Sequence, residues 1–205
     1  MGNEIAKHPW QGALLGGLLW VFPLQVIAFS AINRNFDELV ALADVVLIGN
    51  AVAQRSEWHD PVAQDLIYTY VTFDALESLK GEVAQERYEL RLAGGVVPPF
   101  SQTIPGSPQF TLGRRYILFI KDNQQVLFPL VGVNSGIFMV QPLTTDKAVV
   151  NTFEGHLVTA IEQSVVVTES VNNTSNKRLA VDEGMTLAKF KEAIRQRLVN
   201  SGVNP

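Results

Sequence analysis

The chain has 205 residues, 47% of them hydrophobic, a formal net charge of −4 and no cysteine. This length and hydrophobic content are enough for a buried core, so disorder of the whole chain is excluded. The acidic balance argues against a nucleic-acid partner, because proteins that bind nucleic acid carry patterned basic surfaces. Without cysteine there can be no disulfide, thiolate metal site or acylated lipoprotein cysteine.

The N-terminus has the pattern of an export signal. Residues 12–28 are mostly apolar and follow a short basic segment, and Ala28 and Ala31 are small residues at the spacing that a signal peptidase prefers. The pattern predicts a signal peptide over residues 1–31. The alternative is an uncleaved anchor over residues 10–32, which is just long enough to span a bilayer and would be the only contact with a membrane.

Both alternatives place the rest of the chain outside the cytoplasm, in the periplasm or the secreted fraction. The missing cysteines favour a bacterial protein, since eukaryotic secreted domains of this size more often carry disulfides.

The first elements after this segment are a short helix and a strand. Asn35 is a typical helix cap and precedes acidic and apolar residues, which predicts a helix over residues 35–43. An apolar strand over residues 44–56 follows at once, and Gly49 in its middle predicts a kink or a close backbone approach.

Residues 67–81 form one long strand that must bend. Apolar residues alternate up to Ala75, and then Leu76 and Leu79 take over in a shifted phase, which predicts a bulge. At roughly 3.3 Å per residue the run would span about 45 Å if it were straight. A small domain can hold such a strand only by curling it, as small barrels do.

Further elements alternate with turns and one long loop. The patterns predict strands over 87–92, 115–121, 126–131 and 136–140, a hairpin over 148–161, and a helix from the cap Thr186 to Val199. The loop over residues 94–113 is unusually long and carries four prolines together with apolar residues, so it is either functional or packed.

These elements predict a mainly β fold with one OB-like barrel of five to six strands. The barrel occupies residues 32–142, with the short helix before it. A β-hairpin extension over 143–169, a polar linker over 170–183 and a C-terminal amphipathic helix over 184–205 complete the chain.

The order of a short helix, five strands and a long loop between the third and fourth strands resembles the OB-like netrin and tissue-metalloprotease-inhibitor module. A family of uncharacterised exported bacterial proteins looks more similar still, over roughly residues 35–141. The similarity lies in residues 42–49, 67–73, 79–81, 94–95, 105–108, 112–113 and 117–119.

The resemblance implies a partner: some members of that bacterial family are encoded beside secreted zinc proteases, which suggests a metalloprotease. In the animal inhibitors an N-terminal cysteine binds the protease zinc. No cysteine exists in this chain, so that inhibitory residue is not carried over.

No catalytic or metal-binding constellation is evident in the sequence. His59 and His156 are isolated in predicted turns, and the acidic residues around His59 lack the spacing of a calcium loop. Residues 132–136 are one position away from a nucleophile-elbow pattern but lack its strand-to-helix context. We therefore predict a protein that is not an enzyme and uses no metal ion or cofactor.

Two groups of residues are candidates for binding. The apolar and proline residues of the long loop form the first, which we expect to contact another exported protein, although they could instead plug one end of the barrel: Val96, Val97, Pro98, Pro99, Phe100 and Ile104. Tyr68 and Tyr70, which share one face of the long strand, form the second. They suggest an alternative function as a small-ligand or glycan receptor.

Overall fold

The computed structural model describes residues 34–142, 147–170 and 184–202, so the predicted signal peptide and almost all of the predicted linker lie outside the described residues. Helix α1 is Phe36–Leu42 and helix α2 is Leu187–Asn200. The strands are β1 Val45–Trp58, β2 Ile67–Lys80, β3 Tyr88–Ala93, β4 Gly95–Val97, β5 Phe100–Gln102, β6 Arg115–Ile120, β7 Ile137–Pro142, β8 Ala148–Thr152, β9 Leu157–Glu162 and β10 Val165–Glu169.

The expected long, irregular strand is present and pairs with β1. The two strands run antiparallel, with Trp58 opposite Ile67 at one end, and three register shifts interrupt the pairing. One shift leaves Ala75 unpaired, with a φ of 49°, at the position where the sequence pattern changes phase. A bulge of this kind increases twist and bends the strand, so the predicted bulge is confirmed.

The fold is mainly β, as predicted, but the strand count was wrong. One antiparallel sheet holds eight strands in the order β10-β9-β8-β7-β6-β1-β2-β3, and β4 and β5 form a separate pair. The count rises because β8, β9 and β10 continue the sheet beyond β7. Residues 126–131 form one isolated bridge, between Leu130 and Ile120, in place of the predicted strand.

The segment after β6 lies along the outer edge of β3. The Arg91 N–H donates to Asn123 Oδ1 at 3.2 Å, and Asn123 Nδ2 donates to the Glu89 carbonyl at 2.8 Å. The Ala93 N–H donates to the Leu127 carbonyl at 3.2 Å. Main-chain groups that would face solvent on an edge strand therefore have partners within the chain.

Helix α1 is fixed at both ends. Asn35 and Glu38 form a capping box at the N-terminus, in agreement with the predicted cap. At the other end Lys80 Nζ donates to the Val40 carbonyl at 2.8 Å and to the Ala41 carbonyl at 3.1 Å. A cation at this end complements the helix dipole. Burial lowers the pKa of Lys80, and the charge of Asp44 partly opposes that shift.

Helix α2 begins at the predicted cap, Thr186, and the residue before the cap enters the sheet. Met185 donates its N–H to the Val158 carbonyl at 2.7 Å and accepts from the Val150 N–H at 3.1 Å. Met185 thus bridges β8 and β9, which pair with each other only at Asn151 and Leu157. These bonds fix where α2 leaves the sheet.

Both faces of the central strands are buried. Val46 and Ile48 of β1 face a cluster with the two helices, whereas Leu47 between them faces a second cluster that contains Phe73. The helix-side cluster is rich in aromatic contacts, with Phe190 lying 5.2 Å from Phe36 and 4.8 Å from Phe138 between ring centroids. The sheet is therefore a middle layer.

We expect Phe190→Ala to lower the free energy of unfolding by about 3–5 kcal/mol, because the fully buried ring joins α2 to α1 and β7. Val199→Ala on the same helix is the matched control. Val199 is 69% exposed, so its truncation should change stability by less than about 0.5 kcal/mol. Urea titrations of both variants measure the difference, and equal effects would show that α2 is not docked on the sheet.

Asp37 connects α1 to two other elements and predicts a pH dependence. Its carboxylate accepts hydrogen bonds from Ser164 Oγ and Arg197 Nε. The bond from Ser164, with the bond and charge of Arg197, lowers the pKa of Asp37 from 3.8 against the opposing effect of burial. A carboxyl whose pKa is lowered on folding stabilises the protein above its unfolded pKa and loses that contribution as pH falls through the folded pKa.

Asp37→Asn should therefore lower the free energy of unfolding at neutral pH. Below about pH 4, the variant should lose less stability per pH unit than the wild type, because it no longer has this contribution to lose. Asp65→Asn makes the same chemical change at an exposed residue between β1 and β2, and it is the matched control. Thermal unfolding measured from pH 2 to pH 7 compares the three proteins. An unchanged profile for Asp37→Asn would contradict the assigned contacts.

Candidate functional site

Two glycines let the chain leave β3 and cross the adjacent strands. Gly94 and Gly95 have φ values of 95° and 148°, which side-chain-bearing residues rarely adopt. Gly94 donates its N–H to the Ile67 carbonyl at 2.8 Å and accepts from Thr69 Oγ1 at 2.7 Å. A Cβ on Gly95 would lie 2.4 Å from Thr69 Oγ1 and 2.6 Å from Ser56 Oγ. The two glycines thus allow a close approach of the backbone to β1 and β2.

The next residues form a short hairpin, β4 and β5, with Pro98 and Pro99 between the two strands. The hairpin is held at its base by Gln102, whose side chain accepts from the Ile67 N–H at 2.8 Å and donates to the Asp65 carbonyl at 3.3 Å. The Phe100 ring packs edge-on against Trp58, with ring centroids 5.5 Å apart. We call residues 95–102 the β4–β5 hairpin.

The β4–β5 hairpin presents apolar side chains to solvent. Val96 is 58% exposed and Phe100 is 49% exposed, and both prolines at the tip are exposed. Val62 is 94% exposed in the turn between β1 and β2, at the end of those strands where Trp58 pairs with Ile67. Burial of such side chains by a partner is favourable at about 25 cal/mol per Å².

The second half of the predicted loop packs against the sheet. Phe110 is buried and lies 5.4 Å from Phe73 and 5.0 Å from Tyr116 between ring centroids. Ile104 is half-buried and lies beside Gly94. The loop is therefore divided: its first part is exposed, and its second part packs against the sheet. A cavity of about 450 Å³ lies between the two parts and the sheet.

Six loop residues were predicted as contacts, and they do not share one environment. Val96, Pro98, Pro99 and Phe100 are exposed, whereas Val97 and Ile104 are half-buried. Sequence reasoning missed Trp58 and Gln102, which support the hairpin from below. Trp58 gave a weak signal as an aromatic residue just before a turn, and Gln102 gave none.

The two tyrosines of the second candidate site are covered by arginines. Tyr68 is buried, and the Arg91 guanidinium lies 4.3 Å from its ring centroid. The Arg55 guanidinium lies 4.4 Å from the ring centroid of Tyr70. Each ring thus has one face in a cation–π contact, which removes that face from stacking with a ligand.

The same outer face of β1, β2 and β3 carries a charged pair. Arg55 binds both carboxylate oxygens of Glu89, and the hydrogen bond with Glu89 raises the pKa of Arg55. On the opposite face of β3, Tyr88 Oη accepts from Asn123 at 3.1 Å; burial raises the pKa of Tyr88, against the effect of that bond. The pair of Arg55 and Glu89 thus joins β1 to β3 across the tyrosine face.

The turn that carries Val62 is set by Asp60. The Asp60 carboxylate accepts from the N–H groups of Val62, at 2.7 Å, and Ala63, at 3.0 Å. The bonds from Ala63 and Val62 lower the pKa of Asp60. Asp60 is thus a turn-forming residue, in line with the predicted polar turn.

Within residues 34–142, 147–170 and 184–202, no three His, Asp or Glu side chains come close enough to hold a metal ion together. Neither helix in that part of the chain is long and apolar enough to cross a membrane. Comparison of the chain with protein-family models, with curated proteins and with solved structures found no match.

We expect Gly95→Ala to lower the free energy of unfolding by about 2–4 kcal/mol, because the added methyl group meets two hydroxyl groups and the backbone is strained. Gly155→Ala is the matched control. Its φ is 93°, but no atom lies within 4 Å of the added Cβ, so only the strain of about 1–2 kcal/mol remains. Denaturant titration compares the two, and equal losses would contradict the close approach at Gly95.

Proposed function

We propose that this chain is an exported, non-enzymatic binding module that contacts another exported protein through the β4–β5 hairpin. One observation carries the proposal: Val96 and Phe100 remain exposed on a hairpin whose base is tied to β2. Export rests on the predicted signal peptide over residues 1–31, which lies outside the described residues.

The hairpin is arranged to lose little conformational freedom on binding. Gln102 and Gly94 tie its two ends to Ile67 through main-chain groups, and the two prolines restrict its tip. Phe100 already rests against Trp58, so its ring is held before a partner arrives. A surface that is ordered before binding loses less conformational entropy on association. Aromatic side chains commonly supply most of the binding energy at such interfaces.

Two acidic residues lie close to the hairpin. Asp65 lies at its base, where its carbonyl accepts from Gln102, and Asp60 lies in the neighbouring turn; both residues are exposed. Charges at the edge of an interface act mainly on the rate of association and on specificity. A partner with an apolar pocket flanked by basic residues fits this surface best.

The finer fold assignment, an OB-like barrel, is part of the proposal. It is supported by the hydrogen bonds of Asn123 and Leu127 to the outer edge of β3 and by the bridge between Leu130 and Ile120. These contacts carry the chain from β6 back toward β3, which is the path needed to close a barrel. The resemblance to the netrin and metalloprotease-inhibitor module makes a secreted metalloprotease the first partner to test.

The alternative function, a small-ligand or glycan receptor at Tyr68 and Tyr70, has less support. An aromatic platform needs free ring faces, and here Arg91 and Arg55 each cover one face. A ligand would have to displace these guanidinium groups or use the opposite faces, of which that of Tyr68 is buried.

The test is affinity capture from the exported fraction of the native organism, with the full chain as bait beside two variants. Val96→Ser with Phe100→Ser should lose the partner, because both exposed apolar contacts are removed. Val199→Ser changes a similarly exposed apolar residue on α2 and should retain it. With the purified partner, calorimetry should show the double variant binding at least about thirtyfold more weakly, as expected for loss of a central anchor.

Equal retention by the double variant would overturn the hairpin as the contact surface. Failure of every bait to retain a specific protein would overturn the protein-binding function itself. If the partner is a protease, inhibition of its activity by the full chain, and not by the double variant, shows whether binding also regulates it.

A further inference from the structure

A second cleft lies between α1, the turn before β7, and β10. Its volume is about 440 Å³, within the range of small-molecule sites. Its lining includes apolar side chains, among them Leu39, Phe138 and Val166, of which the first two are buried. Its lining also includes one cation and one anion, Arg34 and Glu154.

Asn134 lines the same cleft and has an unpaired polar atom. Its Oδ1 is buried and has no hydrogen-bond partner among the described residues. A buried acceptor without a donor is costly, so such groups are rare and call for an explanation. Asn134 as a whole is only partly buried, so a ligand N–H that reaches this oxygen from the cleft would supply the missing donor.

The turn that carries Asn134 has strained backbone at a β-branched residue. Val133, a β-branched residue, has a φ of 54°, and Gly132 before it has a φ of 64°. A Cβ on Gly136 would lie 2.4 Å from the Val131 carbonyl oxygen, so the chain turns tightly on itself there. Strained backbone tends to persist where it positions functional groups. This is the segment over residues 132–136 that resembled a nucleophile elbow, and it forms a single 3₁₀ turn in place of the strand-to-helix turn of that motif.

Arg34 lines the cleft and forms an ion pair with Glu38 on α1. The two side chains are 3.7 Å apart between Nη1 and Oε1, which is longer than a hydrogen bond. Glu38 is itself engaged in the capping box of α1. The guanidinium can therefore bind an incoming carboxylate in two-pronged geometry.

We propose that this cleft binds a short zwitterionic peptide with apolar side chains. The ligand carboxylate pairs with Arg34, and its ammonium group pairs with Glu154. A main-chain N–H of the peptide donates to Asn134, while its side chains rest on Phe138 and Val166. Each of these contacts matches a group that lines the cleft, and none of them involves the β4–β5 hairpin.

The probe is leucyl-leucine, with three related dipeptides as comparisons, titrated into the full chain by calorimetry and by thermal unfolding. We expect leucyl-leucine to raise the melting temperature at millimolar concentration. Its C-terminal amide and its N-acetyl form should each bind about tenfold more weakly, because each lacks one charge. Glycyl-glycine should not bind, because it has no apolar side chain.

Two variants locate the site. Arg34→Gln should bind leucyl-leucine and its amide equally, whereas Arg114→Gln, the same change at an exposed arginine outside the cleft, should keep the wild-type preference. Asn134→Ala should bind about five- to tenfold more weakly without loss of stability, because it removes an unpaired buried oxygen.

The proposal is overturned if no dipeptide binds at millimolar concentration, or if binding is the same in wild type, Arg34→Gln and Asn134→Ala. Arg34 is one-third exposed, so its replacement should leave the fold intact and keep the test decisive even if Asn134→Ala fails to fold. The double variant Val96→Ser with Phe100→Ser should bind the dipeptide normally, which separates this proposal from the one at the hairpin.

Discussion

Strands β1 and β2 are 14 residues long each and pair along most of their length, and most other elements depend on that pairing. β6 attaches to the first half of β1, and β3 attaches to the first half of β2. A bulge such as the one at Ala75 changes the face of the sheet to which the following side chains point. The same two strands can therefore contribute side chains to the buried clusters on both faces of the sheet. Their far ends, at Trp58 and Ile67, then extend beyond that layer and hold the β4–β5 hairpin.

The parts of the fold that sequence reasoning predicted well are those set by neighbouring residues. Asn35 and Thr186 cap their helices through bonds to residues three positions away, so the signal is local. The bulge at Ala75 was visible because alternation stops there. The hairpin of β8 and β9 was visible because two apolar runs flank a short turn that contains Gly155. The last strand, β10, was missed because its turn uses Gln163 and Ser164 at positive φ, where glycine or asparagine would normally mark a hairpin.

The candidate site could be predicted only in part, because exposure within the long loop is set by distant contacts. Phe100 and Phe110 have the same side chain and lie ten residues apart in a loop without periodicity, yet one is half-exposed and the other is buried. The difference arises from Gly95, which brings the chain against Ser56 and Thr69 on two other strands. Met185 is a similar case, because its bonds to β8 and β9 join residues separated by the whole linker.

The hairpin and the cleft depart from the most stable arrangement in opposite ways. The hairpin leaves apolar surface at Val96 and Phe100 in water, and the cleft leaves a polar atom of Asn134 buried without a partner. A partner with an apolar surface would remove the exposed side chains of the hairpin from water. A ligand with a hydrogen-bond donor would satisfy the unpaired oxygen in the cleft. The segments that present these groups have unusual backbone, with a positive φ at Val133 in the turn that carries Asn134 and a close approach at Gly95 at the start of the hairpin. The two sites should therefore bind independently, because they share no residue and lie on different elements of the sheet.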